Sequence, residues 1–362
     1  MNRLTAIGLA SLVAYGLLIT SKYTGVVSAA RESETPKSGA VSDESAMKAV
    51  VMGVRSEPIQ AAVSFPPPVA RAEQMRASPA SLEFRAARDL KAFADGLNAR
   101  RANLTGDERY HLAKALEECQ FTTTINEDIA AYSAKQRKQF LASLTPGDAN
   151  NTRRVAAYDA ADNTQRCLRF QGTNISQKEI EDLYAAAAHQ GDARAQARML
   201  VAELNAKLNQ SNRSTEQVAT TSRPVAMDDF SRVIGLLETR DPEALMIVGN
   251  FLAQSSVANQ LRIGPQGEVP EASALLGAFS LVACDMTTDC VTLNREPQLA
   301  CAFSGYCDAQ NFEVLYQNFL ASPWAYAHAA QYRNIIHTAI NTQNWALIGL
   351  VPPRSAASLP GQ

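Results

Sequence analysis

The sequence predicts an all-α fold: an irregular bundle of helical hairpins, disulfide-stabilised and preceded by an N-terminal signal or anchor segment. Three observations carry that expectation. Apolar residues recur at helical spacing almost continuously over residues 81–350, whereas strand-like alternation is confined to a weak pattern over residues 121–125, readable as one short extended piece. Six cysteines (Cys119, Cys167, Cys284, Cys290, Cys301 and Cys307) are even in number and patterned in spacing, which suits oxidation to disulfides. The chain also opens on Met1-Asn2-Arg3 and an uncharged run over residues 4–21, so passage out of a reducing cytosol is expected.

That run has two readings. As a cleaved signal peptide its core is residues 4–19, and Ser28, Ala29 and Ala30 supply a processing site. As an uncleaved anchor, its 18 residues make a helix of roughly 27 Å, close to the hydrocarbon thickness of a bilayer. No cysteine directly follows it, which argues against a lipoprotein. Arg3 favours an N-terminus kept inside with the rest of the chain outside. Residues 31–80 hold few large apolar side chains and carry Phe65-Pro66-Pro67-Pro68 and Pro79. Consecutive prolines remove backbone donors and favour extended geometry, so the stretch reads as a disordered spacer, with room for one isolated helix at residues 45–54.

The helical domain spans residues 81–350, with a disordered tail at 351–362. Its elements follow in order. Residues 81–100 and 107–119 form two helices split at Gly106, the second with Tyr110, Leu112, Ala113 and Leu116 inward. Helices follow at 133–144 and 151–168. Ser176-Gln177-Lys178-Glu179 is a capping box opening a helix that runs to His189. Gly191 ends it, and residues 193–208 return antiparallel before a polar insert, 209–222, that reads as a surface loop. Helices resume at 226–239 and, capped by Asp241 with Pro242 in first position, at 242–254. Residues 271–284 are apolar nearly all round and belong at the centre of the core. A shorter helix is expected at 293–303. Phe312, Leu315, Tyr316, Phe319 and Leu320 mark another, and Ser322-Pro323 opens the last, with Trp324, Ala327, Tyr332, Ile335, Ile336 and Ile340 inward.

Two stretches agree in phase. Residues 184–200, with Gly191-Asp192 then Ala195, align with residues 236–249, with Arg240-Asp241 then Ala244. Each places a tight turn and an Asp cap between helices, and an alanine three residues on lets the helices approach closely. The pattern resembles tetratricopeptide-like repeats of the short Sel-one-like kind over about 70 residues, which implies stacked helical hairpins. The offset of 49 residues is longer than that family's, and plain hairpin packing within a bundle stays open. With its N-terminal segment and cysteine pattern the chain also resembles exported helical proteins of proteobacterial type, a likeness that implies compartment and fold but no activity.

Cys284 and Cys290 are separated by five residues, as are Cys301 and Cys307, and turns at Thr287-Thr288-Asp289 and Ser304-Gly305 can fold each pair together. Pairings 284–290, 301–307 and 119–167 are favoured, with crossed pairing of the two C-terminal segments still open. On the chain-entropy account the short loops contribute about 2 kcal/mol each and the long one roughly 4. Zinc usually takes its thiolates from C-x(2–4)-C knuckles, so C-x5-C does not point to metal, and no C-x-x-C points to redox catalysis.

The remaining chemistry is sparse. His111, His189, His328 and His337 have no partner at metal spacing, so no metal site and no cofactor is expected. Glu117 and Glu118 are adjacent and point about 100° apart on a helix, unlike a converging acid–base pair. No G-x-S-x-G, P-loop or H-E-x-x-H occurs. Asp285, Asp289 and Asp308 read as a solvated acidic patch, and Trp324, Tyr326, Tyr332 and Trp345 as core aromatics. The net charge of −2, or −4 once residues 1–30 are set aside, offers nothing to nucleic acid or an anionic membrane surface. The expectation is a periplasmic protein-interaction module that binds an envelope protein through a groove between hairpins, and that meets the membrane through its N-terminal segment where this is uncleaved. The alternative is an enzyme of unrecognised type with a cleft beside the Cys284–Cys307 segment.

Overall fold

Most helices in this chain begin where a side-chain oxygen takes up the first free backbone amides. The computed structural model describes residues 74–123, 125, 128–214, 225–264, 266–288, 290 and 295–351, all in the unit Val69–Gln362. The signal or anchor, the spacer up to residue 73 and the tail from residue 352 lie outside the described residues. Ser78 caps α1 (Pro79–Ala86), so helix starts within the stretch that reads as spacer. Asp89 caps α2 (Leu90–Asn98) by accepting the amides of Lys91 and Ala92. One continuous helix over residues 81–100 is thereby corrected to two, because the Asp89 carboxylate competes for backbone donors and Ala87 turns extended. Thr105 and Glu108 form a capping box for α3 (Gly106–Cys119), which makes Gly106 the first residue of that helix. The short extended piece expected at residues 121–125 is not seen over its described start: Gln120–Thr123 is a 3-10 turn whose Thr122 and Thr123 hydroxyls donate to the carbonyls three residues back.

Asp128 caps α4 (Ile129–Ser143). The expected helix at 151–168 divides into α5 (Asn151–Ala161) and α6 (Thr164–Cys167), because Asp162 accepts the Thr164 amide at 2.8 Å. Ser176 opens α7 (Gln177–His189). The next helix, α8 (Ala193–Ser214), runs on into the insert that reads as a loop from Asn209. Once nucleated, a helix gains one hydrogen bond per added residue, so polar composition alone does not stop it. Next come α9 (Met227–Glu238), α10 (Pro242–Leu252) under its Asp241 cap, and α11 (Ala272–Asp285), capped by Glu271. Then α12 (Glu296–Leu299) and α13 (Phe312–Leu315) each widen into a π-helical turn, Ala300–Ser304 and Tyr316–Leu320. Ser322 caps α14 (Pro323–Thr342). The described residues are helical or irregular and contain only isolated bridges, at Met75 with Thr287 and Ile263 with Glu268, so the all-α expectation holds.

Two hydrophobic cores lie along the chain. One joins α1–α3, α6 and α7 around Phe84, Leu90, Leu112 and Leu183. The other joins α8–α11 and α14 around Val248, Phe251, Phe279 and Ile336. The α7/α8 hairpin is the seam: Ala187 and Ala195 belong to the first core, Ala197 and Leu204 to the second. Its turn needs Gly191 at φ +89°, while Arg240 holds the equivalent α9/α10 turn at φ +58°. As expected, α11 is buried nearly all round. Buried positions on α14 are Ala325, Ala329, Tyr332, Ile336, Ala339 and Ile340, whereas Trp324 and Ala327, expected inward, are exposed. Small residues let α14 approach its neighbours, beginning at Ala325, one position after the large aromatic that dominates the sequence signal.

Candidate functional site

All three disulfides pin helix ends. Cys119–Cys167 joins the last residues of α3 and α6, Cys284–Cys290 folds back on the end of α11, and Cys301–Cys307 closes the segment after α12. Disulfides are consistent with an extracellular or periplasmic location. Among the described residues no helix is long and apolar enough to cross a membrane, and no group of His, Cys, Asp and Glu is arranged to hold a metal ion.

The titratable groups pair with one another. His111 is buried, with Nδ1 2.9 Å from the Asp107 carbonyl. Arg194 reaches Asp107 at 2.6 Å and stacks 4.2 Å from the Tyr110 ring. The Tyr110 hydroxyl donates to Glu243 at 2.7 Å and Lys114 does so at 2.6 Å. Burial pushes the Glu243 carboxyl up, but Lys114 and the Tyr110 hydroxyl outweigh it and hold its pKa at about 2. Glu117 takes the Tyr184 hydroxyl and the Arg198 guanidinium, while Glu118 takes the Asn163 amide and lies 3.5 Å from Arg166. The two carboxylates thus serve different neighbours and do not converge. Burial raises the Glu118 pKa against the opposing pull of Lys114, Arg166 and Arg295.

Near the C-terminal cysteines, Asp285 accepts from Arg333 Nε at 2.7 Å and lies 2.8 Å from His337 Nε2, and Arg333 also reaches Glu313 at 2.9 Å. Asp308 pairs with Arg153 at 2.7 Å. The expected solvated acidic patch is corrected for Asp285, which is largely buried on Arg333 and His337; Asp308 is exposed as expected and pairs with Arg153, and Asp289 lies outside the described residues. His328 Nδ1 lies 3.1 Å from the Trp324 carbonyl, with its ring on the indole, and His189 is exposed in the last turn of α7.

Glu296 stands at the start of α12. Burial raises its pKa to about 7 from 4.5. A raised carboxyl favours the protonated fold, so its contribution is intact below the unfolded value and is lost as pH rises through 7. Glu296→Gln is expected to leave stability unchanged at acid pH. Above neutrality it should raise stability by up to about 3 kcal/mol, read as the pH dependence of urea midpoints.

Three exposed aromatic side chains lie in the C-terminal part of the chain. Phe303 is 60% exposed, Trp324 57% and Phe319 37%. Phe303 and Phe319 both stand on π-helical turns, which shift the register by one residue and re-aim the side chains that follow. Tyr306 and Phe319 stack at 4.7 Å, and Trp324 lies over His328 at 4.1 Å. The disulfide loop is clamped from behind. Arg154 Nε donates to the Ala302 carbonyl at 3.0 Å, and Arg153 donates to the Cys307 carbonyl. Of the four aromatics that read as core, Tyr332 and Trp345 are buried, while Trp324 is not. The sequence signal for this surface is the string Cys301-Ala-Phe303-Ser-Gly-Tyr306-Cys307, in which two aromatics share a loop too short to bury both. No known protein family, curated protein or solved structure matches the chain.

Proposed function

We propose that the chain is a protein-interaction module of an oxidising, extracytoplasmic compartment, and that its contact surface is the aromatic face of Tyr306, Phe319 and Trp324. One observation carries the reading: Phe319 and Trp324 are held outward, Phe319 stacked on Tyr306 of a loop that a disulfide and an arginine clamp fix. Preorganised aromatics are the side chains that most often anchor a protein interface. The rival enzyme reading would rest on the Asp285–His337 pair. There Arg333 already neutralises the carboxylate, which makes the group an ion cluster bracing α11 against α14.

The test is a photo-crosslinking residue placed in turn at Phe319, at Trp324 and, as a control, at exposed Leu82 on α1. Positions 319 and 324 are expected to trap one protein partner that position 82 does not. Trp324→Ser should weaken that complex by about thirtyfold or more with the melting temperature unchanged. Equal trapping at all three positions, or none at 319 and 324, would reject the surface.

A further inference from the structure

The chain enters the described fold along the end of α11. The Met75 amide donates to the Met286 carbonyl at 2.8 Å, and Met75 forms an isolated parallel bridge with Thr287. The Gln74 side-chain amide donates to the Asp285 carbonyl at 3.3 Å. Asp285, Met286 and Thr287, which receive this strap, all lie inside the loop closed by Cys284–Cys290. From there residues 76 and 77 lead to Ser78, which caps α1 and donates its hydroxyl to Asp107. The strap is lightly held: Gln74, Met75 and Arg76 are exposed, so little apolar burial adds to its hydrogen bonds. The Asp285 carboxylate, by contrast, is fixed by Arg333 and His337, so the end of α11 keeps its place when the strap leaves.

The three disulfides differ in access. Cys119 and Cys167 are fully buried, and Cys301 and Cys307 are 9% and 8% exposed, whereas Cys284 and Cys290 are both partly exposed. Exposed disulfides are the ones that exchange with thiols. The accessible crosslink is therefore the one that shapes the strap's seat.

We infer that Cys284–Cys290 is a redox-sensitive latch on residues 74–77, opened by a dithiol reductant. A thiolate of the dithiol attacks one sulfur of the pair, the S–S bond breaks and a mixed disulfide forms. The second thiol of the reductant then displaces the remaining cysteine. Two electrons and two protons pass to Cys284 and Cys290, which become thiols, and the dithiol becomes a disulfide. With the loop open, Cys290 no longer folds the turn at Met286 and Thr287 back on α11, and the strap loses its seat. Release frees residues 74–77, about 13 Å of extended chain. No residue of the aromatic face takes part.

The full chain is titrated with dithiothreitol, free thiols are alkylated and mapped, and amide exchange is followed by mass spectrometry. Cys284 and Cys290 are expected to be alkylated at the lowest dithiol concentration. Exchange over residues 74–77 should rise about tenfold or more in the same step, with α3 unchanged. Cys284→Ser with Cys290→Ser should free the strap without reductant, and Cys301→Ser with Cys307→Ser should not. Met75→Pro, which removes the amide that donates to Met286, should free it with the disulfide intact, seen as trypsin cleavage after Arg76. Reduction of another disulfide first, or exchange over residues 74–77 that ignores the state of Cys284 and Cys290, would overturn the inference. A strap still protected from trypsin in Met75→Pro would overturn it too.

Discussion

Replacing Cys119 and Cys167 together by alanine is expected to lower global stability by about 4 kcal/mol, more than the loss of either other disulfide. The crosslink closes 48 residues of sequence separation, whereas Cys284–Cys290 and Cys301–Cys307 each close 6. On the chain-entropy account each short loop is worth about 2 kcal/mol, because a short unfolded loop has less freedom to lose. Placement adds to the difference. Cys119 and Cys167 are both fully buried in the first core, beside Leu116, Phe121 and Phe170. Alanine there leaves a void that neighbouring side chains fill only partly. Cys301–Cys307 lies instead over a surface loop, so its loss should free Phe303 and Tyr306 locally before it touches the global transition. Urea unfolding of the three alanine pairs, with proteolysis of the 301–307 loop as the local readout, separates these effects. Equal midpoint shifts for all three would mean that the crosslinks act through native contacts and not through loop length.

What the sequence made legible follows from the range of the interactions involved. Caps are local, and Ser176, Asp241 and Ser322 open the helices expected of them. The apolar character of α11 is likewise visible, because a helix buried on all sides has no polar face to place. Breaks set by one competing carboxylate, at Asp89 and Asp162, are not visible, since the same residue also caps or decorates helices. Burial on α14 departs by one residue from the apolar pattern because tertiary approach selects Ala325 and Ala329 over Trp324. The site was harder still. Aromatics aimed by π-turns become a surface only once α12 has returned across α5, more than 130 residues later.

Arg194→Met is expected to cost about 3 kcal/mol, although Met preserves helix propensity and most of the stem's contacts. The guanidinium donates to Asp192 at 2.5 Å and to Asp107 at 2.6 Å, and lies on the Tyr110 ring. Both carboxylates have other duties. Asp192 caps α8 through the amides of Arg194 and Ala195, and Asp107, in the first turn of α3, also accepts the Ser78 hydroxyl at 2.9 Å. Removing the cation therefore takes from two partly buried carboxylates the base they share at the meeting of α1, α3 and α8, on the seam between the cores. Lysine should recover only part of the loss, because an ammonium cannot bind both acids through a planar fork and stack on Tyr110 at once. The pH dependence has a definite sign. Burial raises the Asp107 carboxyl, but His111, Arg194 and Ser78 outweigh it and hold it well below its usual 3.8. A lowered carboxyl contributes stability above its unfolded pKa and loses it as pH falls below. The gap between wild type and Arg194→Met should accordingly be full at neutral pH and narrow below about pH 4, as Asp107 protonates in the variant. A gap unchanged from neutral to acid pH would assign the loss to packing of the arginine stem and not to its charge.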